Sequence, residues 1–131
     1  MKFTVLILTI TALTLSGADK KRKNNKAAEI EMTEVSVKRS EGLVNIDTRA
    51  RNVGEKPIRG LTLVFQFFGP QHVPLTSQKA KVEEESLEPG GEAAIYAQLN
   101  DPPRAVTLEI SAVDEPGHDL RVAKPGPYPI E

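Results

Sequence analysis

The chain has 131 residues, with 17 basic and 18 acidic side chains, two histidines and no cysteine. That length suits one domain. The missing cysteines exclude a disulfide framework, a thiolate nucleophile, a cysteine zinc site and a lipoprotein anchor. The charges nearly cancel, but Lys20-Lys21-Arg22-Lys23 concentrates basic charge near the N-terminus and leaves the remainder acidic, which argues against nucleic acid because phosphate contacts need a basic face.

Residues 1–18 have the layout of a secretory signal peptide. Lys2 precedes an apolar run from Phe3 to Leu15 broken only by threonines, and Ser16-Gly17-Ala18 supplies small residues for cleavage after Ala18. The run is shorter than the roughly 20 residues of a bilayer span, so the expectation is a periplasmic or secreted protein with no membrane span after cleavage. A buried strand over residues 4–10 is the competing reading, and the basic cluster at 20–23 works against translocation by the positive-inside rule. Residues 19–28 are polar and basic and read as a flexible linker, with attraction to an anionic surface as a second role.

From Ile30 to Val122, apolar and polar residues alternate in short runs separated by Gly, Pro, Asn and Asp. A period of two places alternate side chains on one face of a strand. The predicted fold is therefore all-β, a single antiparallel β-sandwich of about seven strands over residues 29–122. In the first strand, Glu29–Lys38, the apolar phase shifts between Met32 and Val35, which predicts a bulge near Thr33-Glu34. The second, Leu43–Arg51, turns Val44, Ile46, Thr48 and Ala50 inward. The third, Ile58–Phe68, is the most apolar, with Leu61, Leu63, Phe65 and Phe67 at the core and Val64, Gln66 and Phe68 outward. The segment from His72 to Val82 carries Pro74, Lys79 and Lys81, the marks of a protected edge strand. Pro89-Gly90 suits the centre of a type II turn before a strand at Ala93–Leu99 with Ile95, Ala97 and Leu99 inward. Ala105–Val113 places Val106, Leu108, Ile110 and Ala112 inward, and a short last strand spans Leu120–Val122. Residues 123–131 form a Pro-rich tail, expected to be extended.

No arrangement of these residues amounts to a catalytic centre. His72 and His118 fall in turns or strand starts without a triad-like partner. Asp114, Glu115, His118 and Asp119 offer cation ligands, but their spacing matches no calcium loop or zinc signature, and Pro116-Gly117 already accounts for a turn. Glu83–Glu85 reads as a solvated acidic turn. No catalytic, cofactor or metal residues are assigned, and no cofactor is expected. Phe68 and Tyr96 fall on the outward phase of their strands and, with Val64, form the candidate partner contact, since exposed aromatics mark interaction sites. A loop or the tail folded over them is the competing arrangement.

Three stretches resemble the FxLYD-type, immunoglobulin-like domains of bacterial cell-envelope proteins. They are Asn52-Val53-Gly54, similar to that family's Asn-x-Gly turn; Phe65-Gln66-Phe67-Phe68-Gly69, in the place of its Phe-x-Leu-Tyr-Asp signature; and Leu87-Glu88-Pro89-Gly90-Gly91-Glu92, similar to its Leu-x-Pro-Gly turn. Phe67, Phe68 and Gly69 stand where the signature has Leu, Tyr and Asp. The resemblance covers about Val35 to Val113 and implies an exported sandwich with no activity of its own. The expected function is a non-catalytic binding or assembly module of the cell envelope, whose partner is another envelope protein. The alternatives are a structural spacer, a small-ligand carrier for sugar or metal, and, remotely, a hydrolase built on His118 and its neighbouring acids.

Overall fold

The computed structural model describes residues 27–131. The expected signal peptide, residues 1–18, and residues 19–26 of the expected linker lie outside the described residues. Residues 27–131 fold as an all-β sandwich. Six strands of seven residues or more carry it: β1 (Ile30–Ser40), β2 (Leu43–Asn52), β4 (Thr62–Phe68), β5 (Pro74–Lys81), β7 (Glu92–Asn100) and β8 (Thr107–Val113). Five two-residue strands join them: β3 (Ile58–Arg59), β6 (Ser86–Leu87), β9 (Asp119–Leu120), β10 (Val122–Ala123) and β11 (Tyr128–Pro129). One sheet has the order β10-β1-β2-β7, the other β11-β8-β4-β5 with β9 also on β8. The first, second and fifth long strands thus share a sheet while the sixth, third and fourth share the other, an immunoglobulin-like arrangement with the fourth strand beside the third.

The alternation written in the sequence sets the inner faces. Val44, Ile46, Thr48 and Ala50 on β2 and Ala93, Ile95, Ala97 and Leu99 on β7 are buried. They face Leu63, Phe65 and Phe67 of β4 and Leu108, Ile110 and Ala112 of β8, also buried. The bulge in β1 lies where the phase shift predicts it, between Met32 and Glu34. Thr33 is the extra residue there, and just beyond it the buried Thr48 hydroxyl donates to the Glu34 carbonyl at 2.6 Å. A buried hydroxyl without a partner costs free energy, and this bond satisfies it.

Two expectations change. The predicted third strand, Ile58–Phe68, is split at Gly60-Leu61: β3 pairs with β6, and β4 begins at Thr62. Gly60 has φ 62°, and a Cβ there would lie 2.7 Å from the Glu115 Cβ, so only glycine lets the β8–β9 loop approach so closely. Val106, expected in the core, is 41% exposed. It precedes β8, in a turn closed by the Ala105 amide donating to the Pro102 carbonyl with Arg104 at positive φ. Ala105 takes the buried position there instead.

The predicted last strand also divides. β9 pairs with β8, while β10, two residues later, pairs in parallel with β1 in the opposite sheet. The tail is extended as expected, yet it belongs to the sandwich: Tyr128 lies opposite Leu108 and Pro129 opposite Thr107. The Ile130 amide donates to the Val106 carbonyl, the Glu131 amide to Val37, and the Arg39 amide to the Glu131 carbonyl. Tyr128 and Ile130 pack against the core. Burial raises the Tyr128 phenol above its ordinary pKa, and its hydroxyl donates to the Lys124 carbonyl. The flank of the sandwich between β1 and β8 is therefore stitched shut.

Candidate functional site

The predicted contact residues do not converge. Val64 lies on β4 and Tyr96 on β7, so they project from the outer faces of different sheets, on opposite sides of the sandwich. Phe68 is not a surface residue at all: it is 7% exposed. Pro70–His72 forms a 3-10 turn in which Gln71 and His72 take positive φ. That turn folds the imidazole back over the Phe68 ring, with centroids 3.9 Å apart and planes 10° from parallel. His72 Nε2 lies 2.9 Å from Glu109 Oε2 on the neighbouring strand, fixing the lid. The competing arrangement, a covering loop, therefore holds for Phe68; for Tyr96 it does not. The register between Gln66 and Glu109 is not written in the sequence, so the partnership of His72 with Glu109 cannot be read there. Beside this lid, a shallow hollow of about 300 Å³ runs along Gln66, Glu109, Ser111 and Pro125.

A second, larger groove of about 510 Å³ lies at one end of the sandwich, between Ala27–Glu29, the turn Asn52–Ile58 and the loop Asp114–Arg121. Its polar groups serve the structure. The buried Asn52 amide nitrogen donates to the carbonyls of Lys56 and Leu87, both at 2.8 Å, and its oxygen accepts from the Gly54 amide at 2.9 Å. Asp114 accepts from the His118 amide at 2.8 Å and closes the turn expected there. Glu29 holds Arg121 through its backbone amide at 2.9 Å and its guanidinium at 3.5 Å. Among the described residues no group of three His, Asp or Glu side chains could hold a metal ion, and no helix is long and apolar enough to cross a membrane.

Tyr96 stands apart. It is 63% exposed at the middle of β7, opposite Asp47 of β2, and its hydroxyl donates to Asn45 Oδ1 at 3.1 Å. Arg49 bonds Glu92 at 3.2 Å on the same face. β7 is also a sheet edge, since its one ladder partner among the described residues is β2. The direction of its free backbone groups follows from both ends of the strand. The Asn52 amide donates to the Gly91 carbonyl and the Asp101 amide to the Gly42 carbonyl, so odd-numbered residues bond towards β2. Asn100 turns the other way: its amide and carbonyl bond the Gln78 side chain of β5 at 3.1 and 2.9 Å. Strand alternation then points the amides and carbonyls of Ala94, Tyr96 and Gln98 out of the sheet edge.

No protein-family model matches the chain, and no curated protein sequence does either. Among solved structures it is similar to one described as the structural characterization of IrmA from Escherichia coli, at 17% sequence identity and a TM-score of 0.47, covering 70% of this chain and 80% of that one.

Proposed function

We propose that this chain is an exported, non-catalytic module of the cell envelope that works by presenting a protein-binding surface on the β10-β1-β2-β7 sheet, centred on Tyr96. The observation that carries this reading is the exposure of Tyr96 on a strand whose outward backbone groups are unclaimed among the described residues. A large amphipathic ring on an exposed sheet face gives a partner an apolar anchor, and the row of unpaired amides and carbonyls beside it leaves the strand edge open to directional bonds. Export is supported by the apolar run ending in Ser16-Gly17-Ala18 and by the resemblance to envelope domains.

The test uses a photo-reactive residue placed in living cells at position 47, next to Tyr96, or at position 79 on the opposite outer face. Both are exposed. An adduct with a different envelope protein at 47 and none at 79 is expected. Adducts at 79 alone, or at neither position, would overturn the reading. N-terminal sequencing of the exported protein should begin at Asp19; a start at Met1 would remove the cleaved-signal part of the proposal.

A further inference from the structure

The two edges on the open flank of the sandwich differ. β5 carries Pro74, Lys79 and Lys81, devices that discourage pairing, and Gln78 clasps the far end of β7. β7 itself has none of these. Its sequence, Glu92-Ala-Ala-Ile-Tyr-Ala-Gln-Leu-Asn100, holds one charged residue, at its first position, with no proline or lysine. A nine-residue edge left unguarded in this way among the described residues is a template for another strand.

We infer that the strand it takes is β7 of a second copy of this chain, laid antiparallel about a two-fold axis through Tyr96. This deepens the surface reading above, on which it rests. Tyr96 is the midpoint of Glu92–Asn100, so this register gives the greatest overlap. It sets the outward residues against outward residues: Ala94 faces Gln98 of the second copy, Tyr96 faces Tyr96, and Gln98 faces Ala94. Each hydrogen-bonded pair exchanges two bonds, so six amide–carbonyl bonds close the seam while the clasp on Asn100 stays intact. The inward row is self-complementary in size, with Ile95 opposite Ala97 and Ala93 opposite Leu99. The two Glu92 carboxylates sit at opposite ends of the interface, roughly 27 Å apart at strand spacing, so no like charges meet. The contact is isologous and consumes the edge of each copy, which stops the assembly at two. The product is one continuous eight-stranded sheet with two Tyr96 faces side by side.

The experiment uses the protein purified as it accumulates in the cell, by sedimentation equilibrium from about 1 to 500 µM. A monomer–dimer equilibrium is expected. Tyr96→Lys, which opposes two charges on the axis, and Ala94→Pro, which deletes an amide pointing away from β2, should each raise the dimer Kd at least tenfold, with the circular dichroism spectrum unchanged. Because the chain has no cysteine, cross-linking reads the register directly and does not depend on those variants folding. Mild oxidation of Tyr96→Cys should give a disulfide dimer, since directly opposed residues are about 5.5 Å apart between Cα atoms. Ala94→Cys alone should not, but mixed with Gln98→Cys it should. A monomer throughout the range, or a dimer that Ala94→Cys links with itself, overturns the inference. A monomer that still gives a hetero-adduct at position 47 overturns the self-pairing alone. A dimer without that adduct overturns the partner reading alone.

Discussion

Asn52 reads in the sequence as a turn residue, and the turn is there, but its side chain does more. It ties the Asn52–Ile58 turn to Leu87 just before the Pro89-Gly90 turn, so two of the stretches that carry the envelope-domain resemblance meet at one amide. Asn52→Ala should destabilise the domain by about 2–4 kcal/mol in chemical denaturation, because it leaves buried carbonyls and an amide unpaired. Asn52→Asp should not rescue it, since a carboxylate cannot donate to Lys56 and Leu87. Phe65→Ala should cost about 3–5 kcal/mol. Gln66→Ala, one step out of phase with a bond to the Thr76 carbonyl at 3.0 Å, should cost less than about 1.5 kcal/mol; the reverse order would mean the register of β4 is wrong. At Arg39, the bond to Asp101 at 2.9 Å holds the Asp101 carboxyl below its ordinary pKa and raises the guanidinium. A lowered acid pKa contributes stability above about pH 4, the ordinary aspartate value, that is lost as pH falls through the lower folded value. The pair is partly exposed, so the contribution is below about 1 kcal/mol. Asp101→Asn should flatten that acid limb, as read from melting temperatures between about pH 2 and 6.

Among the elements, the Pro89-Gly90 turn is legible from two letters. The Gly91 amide donates to the Glu88 carbonyl at 2.8 Å, and Gly90 has φ 82°, as the third position of a type II turn requires. The two glycines are needed for different reasons. A Cβ on Gly90 meets nothing within 4 Å, whereas one on Gly91 meets the Glu88 carbonyl oxygen at 3.0 Å. Gly90→Ala should therefore cost about 1–2 kcal/mol through its backbone conformation, and Gly90→Asn less, because asparagine tolerates positive φ. At Gly91 the order should vanish: Ala and Asn crowd the same carbonyl and should destabilise alike, a contrast that denaturant midpoints of the four variants resolve. Inner phases within the long strands are equally readable, because each depends on its own strand; Val106, ahead of β8, and Phe68, at the last position of β4, are the exceptions. The lid over Phe68 is not: it needs positive φ at Gln71 and His72, two residues with no strong preference for it, and a carboxylate from β8 that only the register supplies.

At the scale of the molecule, the sequence pattern determines how many long strands form and which side of each faces inward, but not which sheet each joins. That is why Val64 and Tyr96, both outward by alternation, lie on opposite faces. The tail shows the same limit. Prolines and glycines hide its pairing, yet Tyr128 and Pro129 form an edge strand on β8. Tyr128→Ala should lower the melting temperature by at least about 4 °C, the shift that corresponds to roughly 1 kcal/mol in a domain of this size; an unchanged value would mean the strand contributes nothing to closure.

The stitched flank also has a mechanical meaning. The Glu29 and Ile30 amides bond the Arg121 carbonyl near the start of β1, β10 runs parallel to β1, and Glu131 bonds Val37 and Arg39 near the other end of that strand. Glu29 thus lies at one end of β1 and Glu131 beside the opposite end. Tension applied between Glu29 and Glu131 acts along β1, sliding it past the parallel β10 and past Glu131 rather than peeling it away. In sliding, those bonds share the load and must give way together; in peeling, they would yield one at a time. Pulled between Glu29 and Glu131, the sandwich is held in the direction in which a strand ladder yields last.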